Sequence, residues 1–325
     1  AVGIMGGVDN GDGTYSLQPT GGATRAQAAK VFVVLTRDVL TGKVATPVAK
    51  YKVQFESNGG SAVKAQTVVS GGKASKPGDP NRDSYRFKGW YTDKGLVKAY
   101  NFSTTVKSNV TLYAKWEKLP PVYSVLYSDG LLSLQCDAAV EGSHGGVIGR
   151  WEGFGNYSNR PWKGYEERVK TVVVRDAIEL PSNSGWLFAD FVNCTTMDVA
   201  KLDTSNVTGM SGMFYDCKSL VSLDVSHWDV SCVTNFSLMF AGCKSLVSLD
   251  VSRWSVSRVT DFSEMFSLCS SLTSLDVSHW DVSRATNLSG MFACCDLLTF
   301  LDAARWDVSR VTDFSRMFLS CYDLA

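Results

Sequence analysis

The feature that most limits how this chain can fold is a repeat of 26 residues. Met-Phe pairs stand at Met213-Phe214, Met239-Phe240, Met265-Phe266, Met291-Phe292 and Met317-Phe318, always at that step. Cys217, Cys243, Cys269, Cys295 and Cys321 keep it too. So do the Leu-Asp pairs that begin at Leu223, Leu249, Leu275 and Leu301, and the tryptophans Trp228, Trp254, Trp280 and Trp306. A unit this short cannot bury an apolar face alone, so stacked units must cover one another. Each column of the repeat then becomes a row of like side chains along the stack.

Within one unit, Leu246 and the alternating Leu249 and Val251 predict a short strand with one buried face. Val259, Phe262, Met265 and Phe266 follow at steps of three and four, which suits a helical or 3₁₀ turn. The cysteine column lacks any Cys-x-x-Cys pair, the local spacing that a zinc site normally needs. It points to a buried ladder of thiols that act as small apolar groups, with metal binding or disulfides as the alternative. Cys136, Cys232 and Cys294 fall off the column, and their redox state stays open.

The phrase Leu223-Asp224-Val225-Ser226-His227-Trp228-Asp229-Val230-Ser231, followed by Met239-Phe240-x-x-Cys243, resembles the 26-residue repeat of BspA-like leucine-rich-repeat bacterial surface proteins. The resemblance covers residues 186–325 and implies an α/β leucine-rich-repeat solenoid, truncated at its C-terminal end. Residues 123–185, with aromatic strands such as Tyr123–Tyr127, are read as the cap that covers the first unit. The chain starts and stops inside such units and reads as a piece of a longer protein.

Residues 51–116 form a separate small module. Tyr51–Phe55, Gln66–Val69, Tyr85–Tyr91 and Val110–Trp116 are expected strands, with Asn58-Gly59-Gly60 as a turn. Phe55, Phe87, Trp90, Tyr100, Phe102, Leu112, Tyr113 and Trp116 are its expected core. Phe87-Lys88-Gly89-Trp90-Tyr91 and Val110-Thr111-Leu112-Tyr113-Ala114-Lys115-Trp116 resemble the Listeria–Bacteroides (internalin B-type) repeat. That resemblance implies a β-rich, β-grasp-like spacer on secreted, wall-attached proteins. Residues 45–50 and 117–122 read as linkers, the second stiffened by Pro120-Pro121.

In residues 1–44, Thr24 is a suitable N-cap for an amphipathic helix to about Leu40, so the fragment is expected to be short and helical. Thr24-Arg25-Ala26-Gln27 resembles part of an S-layer homology repeat, which implies contact between Arg25 and bacterial cell-wall polysaccharide. The whole chain is thus expected to be multidomain.

Charge separates these regions. Residues 51–118 carry twelve Lys/Arg against five Asp/Glu, whereas residues 119–325 carry fifteen against twenty-four. Neither imbalance implies nucleic acid, and no apolar run is long enough to span a membrane. With three histidines and no Ser/His/Asp or Cys/His grouping at reactive spacing, an enzyme is not expected, nor is any cofactor or metal.

The candidate ligand contacts lie on the repeat surface. Asp224, Asp250 and Asp276 form one outward column, either bonded to nearby backbone as turn formers or exposed as a recognition face. His227, Arg253, His279 and Arg305 form a second column, and Arg284 and Arg310 belong to a third. These columns vary from unit to unit more than the apolar ones do, which is where partner specificity would be written. The expectation is an adhesin-type protein at the extracellular face of a bacterial cell wall, binding a host extracellular protein or glycan. The alternatives are a structural envelope component or a non-catalytic region of a larger surface enzyme.

Overall fold

The computed structural model describes residues 5–9, 15–19, 49–82, 84–139, 142–155 and 160–324. The chain divides into two compact units, residues 1–80 with 87–115 and residues 81–86 with 116–325.

In the first unit, β1 (Met5–Asp9) and β2 (Tyr15–Pro19) pair as an antiparallel hairpin. The expected helical N-terminal fragment is corrected accordingly: its described part is strand, and the stretch from Thr24 to Leu40, with Arg25, lies outside the described residues. β3 (Lys50–Glu56), β4 (Gln66–Val69), β5 (Tyr85–Tyr91) and β6 (Val110–Lys118) form a four-stranded sheet in the order β4-β3-β6-β5. β3 runs antiparallel to β4 and parallel to β6. The strands fall where apolar and aromatic residues alternate. Val53, Phe55, Leu112 and Ala114 turn inward as the pleat requires. Trp90 is buried at the centre, with Phe55 at 4.8 Å and Phe87 at 5.4 Å in edge-to-face geometry. Phe87, Tyr100, Phe102, Tyr113 and Trp116 are only half-buried, while Val68, Ala74 and Val106 join the core instead. So short a chain cannot cover all of these bulky rings.

The second unit starts with a five-stranded sheet in the order β12-β10-β8-β7-β9. Its members are β7 (Tyr123–Tyr127), β8 (Leu131–Gln135), β9 (Val147–Glu152), β10 (Thr171–Val174) and β12 (Thr196–Asp198). β7 pairs antiparallel with β8 and β9, whereas β8, β10 and β12 run parallel. A second, two-stranded parallel sheet joins β11 (Ile178–Glu179) to β13 (Leu202–Asp203). The change from antiparallel to parallel pairing turns a hairpin into the first rungs of a stack. Arg160 fixes this junction: its side chain is buried, donates to the Trp186 carbonyl, and pairs with Glu166 and Asp190 at 2.8 Å each.

From residue 185 the 26-residue units stack as coils. One apolar core runs from Leu126 in the first sheet to Met317 in the last coil. Phe188, Phe214, Phe240, Phe266, Phe292 and Phe318 stack face to face, 5.5 to 5.7 Å apart. Trp254, Trp280 and Trp306 stack at 6.5 Å. Each column thiol donates to a phenylalanine carbonyl of the preceding coil, as Cys243 does to Phe214 at 3.2 Å and Cys269 to Phe240 at 3.2 Å. The thiols of Cys217, Cys243 and Cys269 are fully buried, in keeping with the apolar ladder expected for that column.

The α/β leucine-rich-repeat solenoid is overturned. Among the described residues there is no α-helix. The two 3₁₀ segments, Gly142–His144 and Glu166–Arg168, precede the coils. The stretch read as helical takes a different path. Met265, Ser267 and Cys269 donate their N–H groups to carbonyls three residues back. Phe262, Glu264, Phe266 and Leu268 instead donate to Asn287, Ser289, Met291 and Ala293 of the next coil. A helix would keep all these bonds within one segment. Glu264 (φ 54) and Leu268 (φ 62) sit in the left-handed region, which also breaks a right-handed helix. The expected strand at Leu249–Val251 is reduced to single parallel bridges, Ser222 to Ser248 and Ser248 to Ser274.

Candidate binding surface of the coil stack

The coils turn most of their corners with the same device. Asp224 Oδ1 accepts the backbone N–H and hydroxyl of Ser226, at 3.1 and 2.7 Å. Asp229 Oδ1 accepts the N–H of Ser231, and Asn235 Oδ1 accepts both groups of Ser237. The side-chain oxygen mimics a backbone carbonyl and closes the turn. Asp250 with Ser252 and Asp276 with Ser278 repeat the arrangement one and two coils on. The structure thus puts Asp224, Asp250 and Asp276 to work as turn formers while leaving them exposed. Hydrogen bonds from Ser226 hold the Asp224 carboxyl below its ordinary range, and those from Ser278 do the same for Asp276. His227 stands 4.0 Å from Asp224 and adds to the effect when protonated.

His227, Arg253, His279 and Arg305 are all exposed, each directly before a column Trp. Arg284 and Arg310 are exposed too, in the column four residues after the Trp.

The Trp corner differs from the rest of the coil. Its neighbours are joined by indole N–H bonds: Trp254 donates to the Val225 carbonyl, Trp280 to Val251 and Trp306 to Val277, each at 3.1 Å. Elsewhere backbone pairs draw the coils together, as from Thr234 to Thr208 and from Thr260 to Thr234 at 2.9 Å. The Trp rings stand 6.5 Å apart, against 5.5 to 5.7 Å in the Phe214 column and 6.2 Å between Phe236 and Phe262. At this wider corner an open depression of about 300 Å³ is lined by Ser278, His279, Trp280, Asp281, Arg305 and Asp307. It brings together His279 and Arg305, and leaves Arg284 and Arg310 outside its lining.

Asp281 and Asp307 were not singled out by the sequence argument. The signal that could have found them is the column Asp229, Ser255, Asp281, Asp307, which follows the Trp as the His/Arg column precedes it. Asp281 Oδ1 accepts the N–H of Ser283 and Asp307 Oδ1 that of Ser309, each at 3.0 Å. Their serine partners lower both carboxyls below the usual range.

Against this geometry, residues 51–115 match the family model described as the Listeria-Bacteroides repeat domain. This segment is a Listeria–Bacteroides repeat. The sheet β4-β3-β6-β5 and its Trp90 core are therefore the fold of that repeat in this chain. The coils, over residues 185–297 and 248–325, match a family described as Mycoplasma protein of unknown function, DUF285. Two proteins of Evansella cellulosilytica share shorter stretches. One, provisionally named a Gly-rich membrane protein, is 46% identical over 79 residues, which is 24% of this chain and 9% of its own. The other, provisionally named a membrane protein, is 44% identical over 68 residues, 21% of this chain and 10% of its own. The matched part thus spans about a tenth of these relatives' length. Among the described residues no helix is long and apolar enough to cross a membrane.

Proposed function

We propose that this chain is a non-catalytic, surface-associated protein of the bacterial cell envelope, and that its coil stack binds a host extracellular protein or glycan through the exposed His/Arg columns. The Listeria–Bacteroides repeat and the relatives' membrane-protein names support the envelope association. The observation that carries the binding role is the contrast between columns. Phe, Cys, Met and Trp repeat almost unchanged because each is buried against its neighbours. His227, Arg253, His279 and Arg305 alternate on the surface, where the fold makes no such demand. In this reading the Listeria–Bacteroides repeat is a spacer. Arg25, outside the described residues, is the candidate contact to wall polysaccharide, as in an S-layer homology repeat.

The test applies the full chain to an array of extracellular-matrix proteins and glycans, beside a variant with Arg253, Arg284 and Arg305 changed to Ala. Saturable binding that the variant loses supports an adhesin. Absence of binding by a folded chain rejects it.

A further inference from the structure

The depression between His279 and Arg305 has a chemistry that narrows its ligand, given that the coil stack is a binding surface. Its lining mixes signs: Asp281 and Asp307 are acidic, Arg305 is basic, His279 is weakly basic, and Ser278 supplies a hydroxyl. A polyanion laid here meets two carboxylates, and a polycation meets the guanidinium and the imidazole. Like-charge contacts of that kind oppose either partner. An uncharged ligand rich in hydroxyl groups has no such conflict, since a hydroxyl both donates to carboxylates and accepts from guanidinium.

An extended peptide is disfavoured by the backbone. A peptide strand docks by pairing with a free sheet edge. Here the described residues of the corner form no strand, and the N–H groups of Ser278, Ser283 and Ser309 are used by carboxylates and those of Trp280 and Trp306 by the carbonyls of Val277 and Ala303. Recognition at this corner then falls mainly to side chains. Asp281 and Asp307 each spend Oδ1 on the N–H of the turn serine.

The same corner recurs along the stack. His227 with Asp229, Arg253 with Ser255, His279 with Asp281 and Arg305 with Asp307 flank successive tryptophans, whose rings repeat at 6.5 Å from Trp254 to Trp306. A row of related, weak sites favours a polymer over a single small ligand, because each further contact is made within one bound chain. Trp280 is 2% exposed, so the indole offers no open face for stacking, and affinity must come from that repetition. We infer that the Trp corner of the coil stack is a groove for a linear, uncharged polysaccharide, held by Asp281, Asp307 and Arg305 with His279 beside them.

The test is affinity electrophoresis of the full chain through gels containing dextran, mannan, galactan or mixed-linkage β-glucan, with alginate as the polyanionic comparison. The variant combines Asp281→Asn, Asp307→Asn and Arg305→Gln. It should fold, because asparagine closes equivalent turns at Asn235 and Asn287. Arg316→Gln is the control: Arg316 is exposed and outside the lining of the groove. The expected result is retardation by at least one uncharged polysaccharide, weakened tenfold or more in the triple variant and unchanged in the control. Retardation by alginate alone, by no uncharged polymer, or equally in the triple variant overturns the inference. Saturable binding to a matrix protein without glycan retardation overturns this inference but leaves the surface-binding function standing.

Discussion

The Listeria–Bacteroides repeat and the coil stack solve the same problem in opposite ways. In the repeat, four strands satisfy one another's backbone groups laterally, and a compact core around Trp90 closes within residues 51–115. In the coils, along stretches such as Phe262–Cys269, alternate N–H groups close turns at home and the rest reach the next coil. The repeat is therefore complete as a piece, while no coil is. The difference teaches where damage should stay. A lost core side chain in the repeat falls on one small core, whereas one in the stack is shared with the coils on either side.

The largest test of that contrast pairs Trp90→Ala with Trp254→Ala. Each should cost about 3–5 kcal/mol. Trp254 loses its stacking on Phe236 and Trp280 and its bond to Val225. Followed by hydrogen exchange, Trp90→Ala should release amides of residues 51–115 only, and Trp254→Ala those of several coils. A cost under about 1 kcal/mol for Trp254→Ala removes the Trp column from the core. Thiol labelling reads the stack alone, since residues 51–115 hold no cysteine. Burial pushes the Cys194 thiol up to about 12 and raises those of Cys217 and Cys269 as well. Without denaturant, Cys217, Cys243 and Cys269 should react roughly 100-fold more slowly than half-buried Cys232 and Cys294, because reaction awaits local opening. Equal rates break the buried-ladder account.

Backbone conformation gives a smaller effect of either sign. Gly212 (φ 60) shares a left-handed column with Trp186, Leu238, Glu264 and Arg316. A Cβ at Gly212 would stand 2.5 Å from the Trp186 ring. Gly212→Ala should lower stability by about 2 kcal/mol. Glu264→Gly, at an exposed site in the same conformation, should raise it by about 0.5–1 kcal/mol. Urea melts check both. The smallest effect is that of pH. Asp224, Asp276, Asp281, Asp307 and Asp313 have folded-state pKa values below their unfolded ones, chiefly through serine hydrogen bonds. Their stabilisation is fully present above the unfolded value of about 4 and fades as pH falls through the lower folded values. In the repeat Asp93 is lowered in the same way, by the N–H groups of Lys98 and Val97. Melting of the stack between pH 5 and about 2 should therefore fall more than that of the repeat. An equal fall in both rejects the serine-capped turns as the cause.

The sequence alone determined which side chains meet. A strict 26-residue step forces Phe on Phe, Cys on Cys and Trp on Trp once coils stack, and period-two alternation set the strands of the Listeria–Bacteroides repeat to within two residues. Tertiary structure alone decided what the backbone does between those columns. Steps of three and four at Val259, Phe262, Met265 and Phe266 fit a helix as well as a string of turns, because both point the same residues inward. The choice rests on N–H groups that bond to a coil 26 residues away, a partner that local spacing cannot reveal. The groove had the same origin. Asp281 and Arg305 are 24 residues apart in the chain, and only the wider Trp corner brings them into one depression.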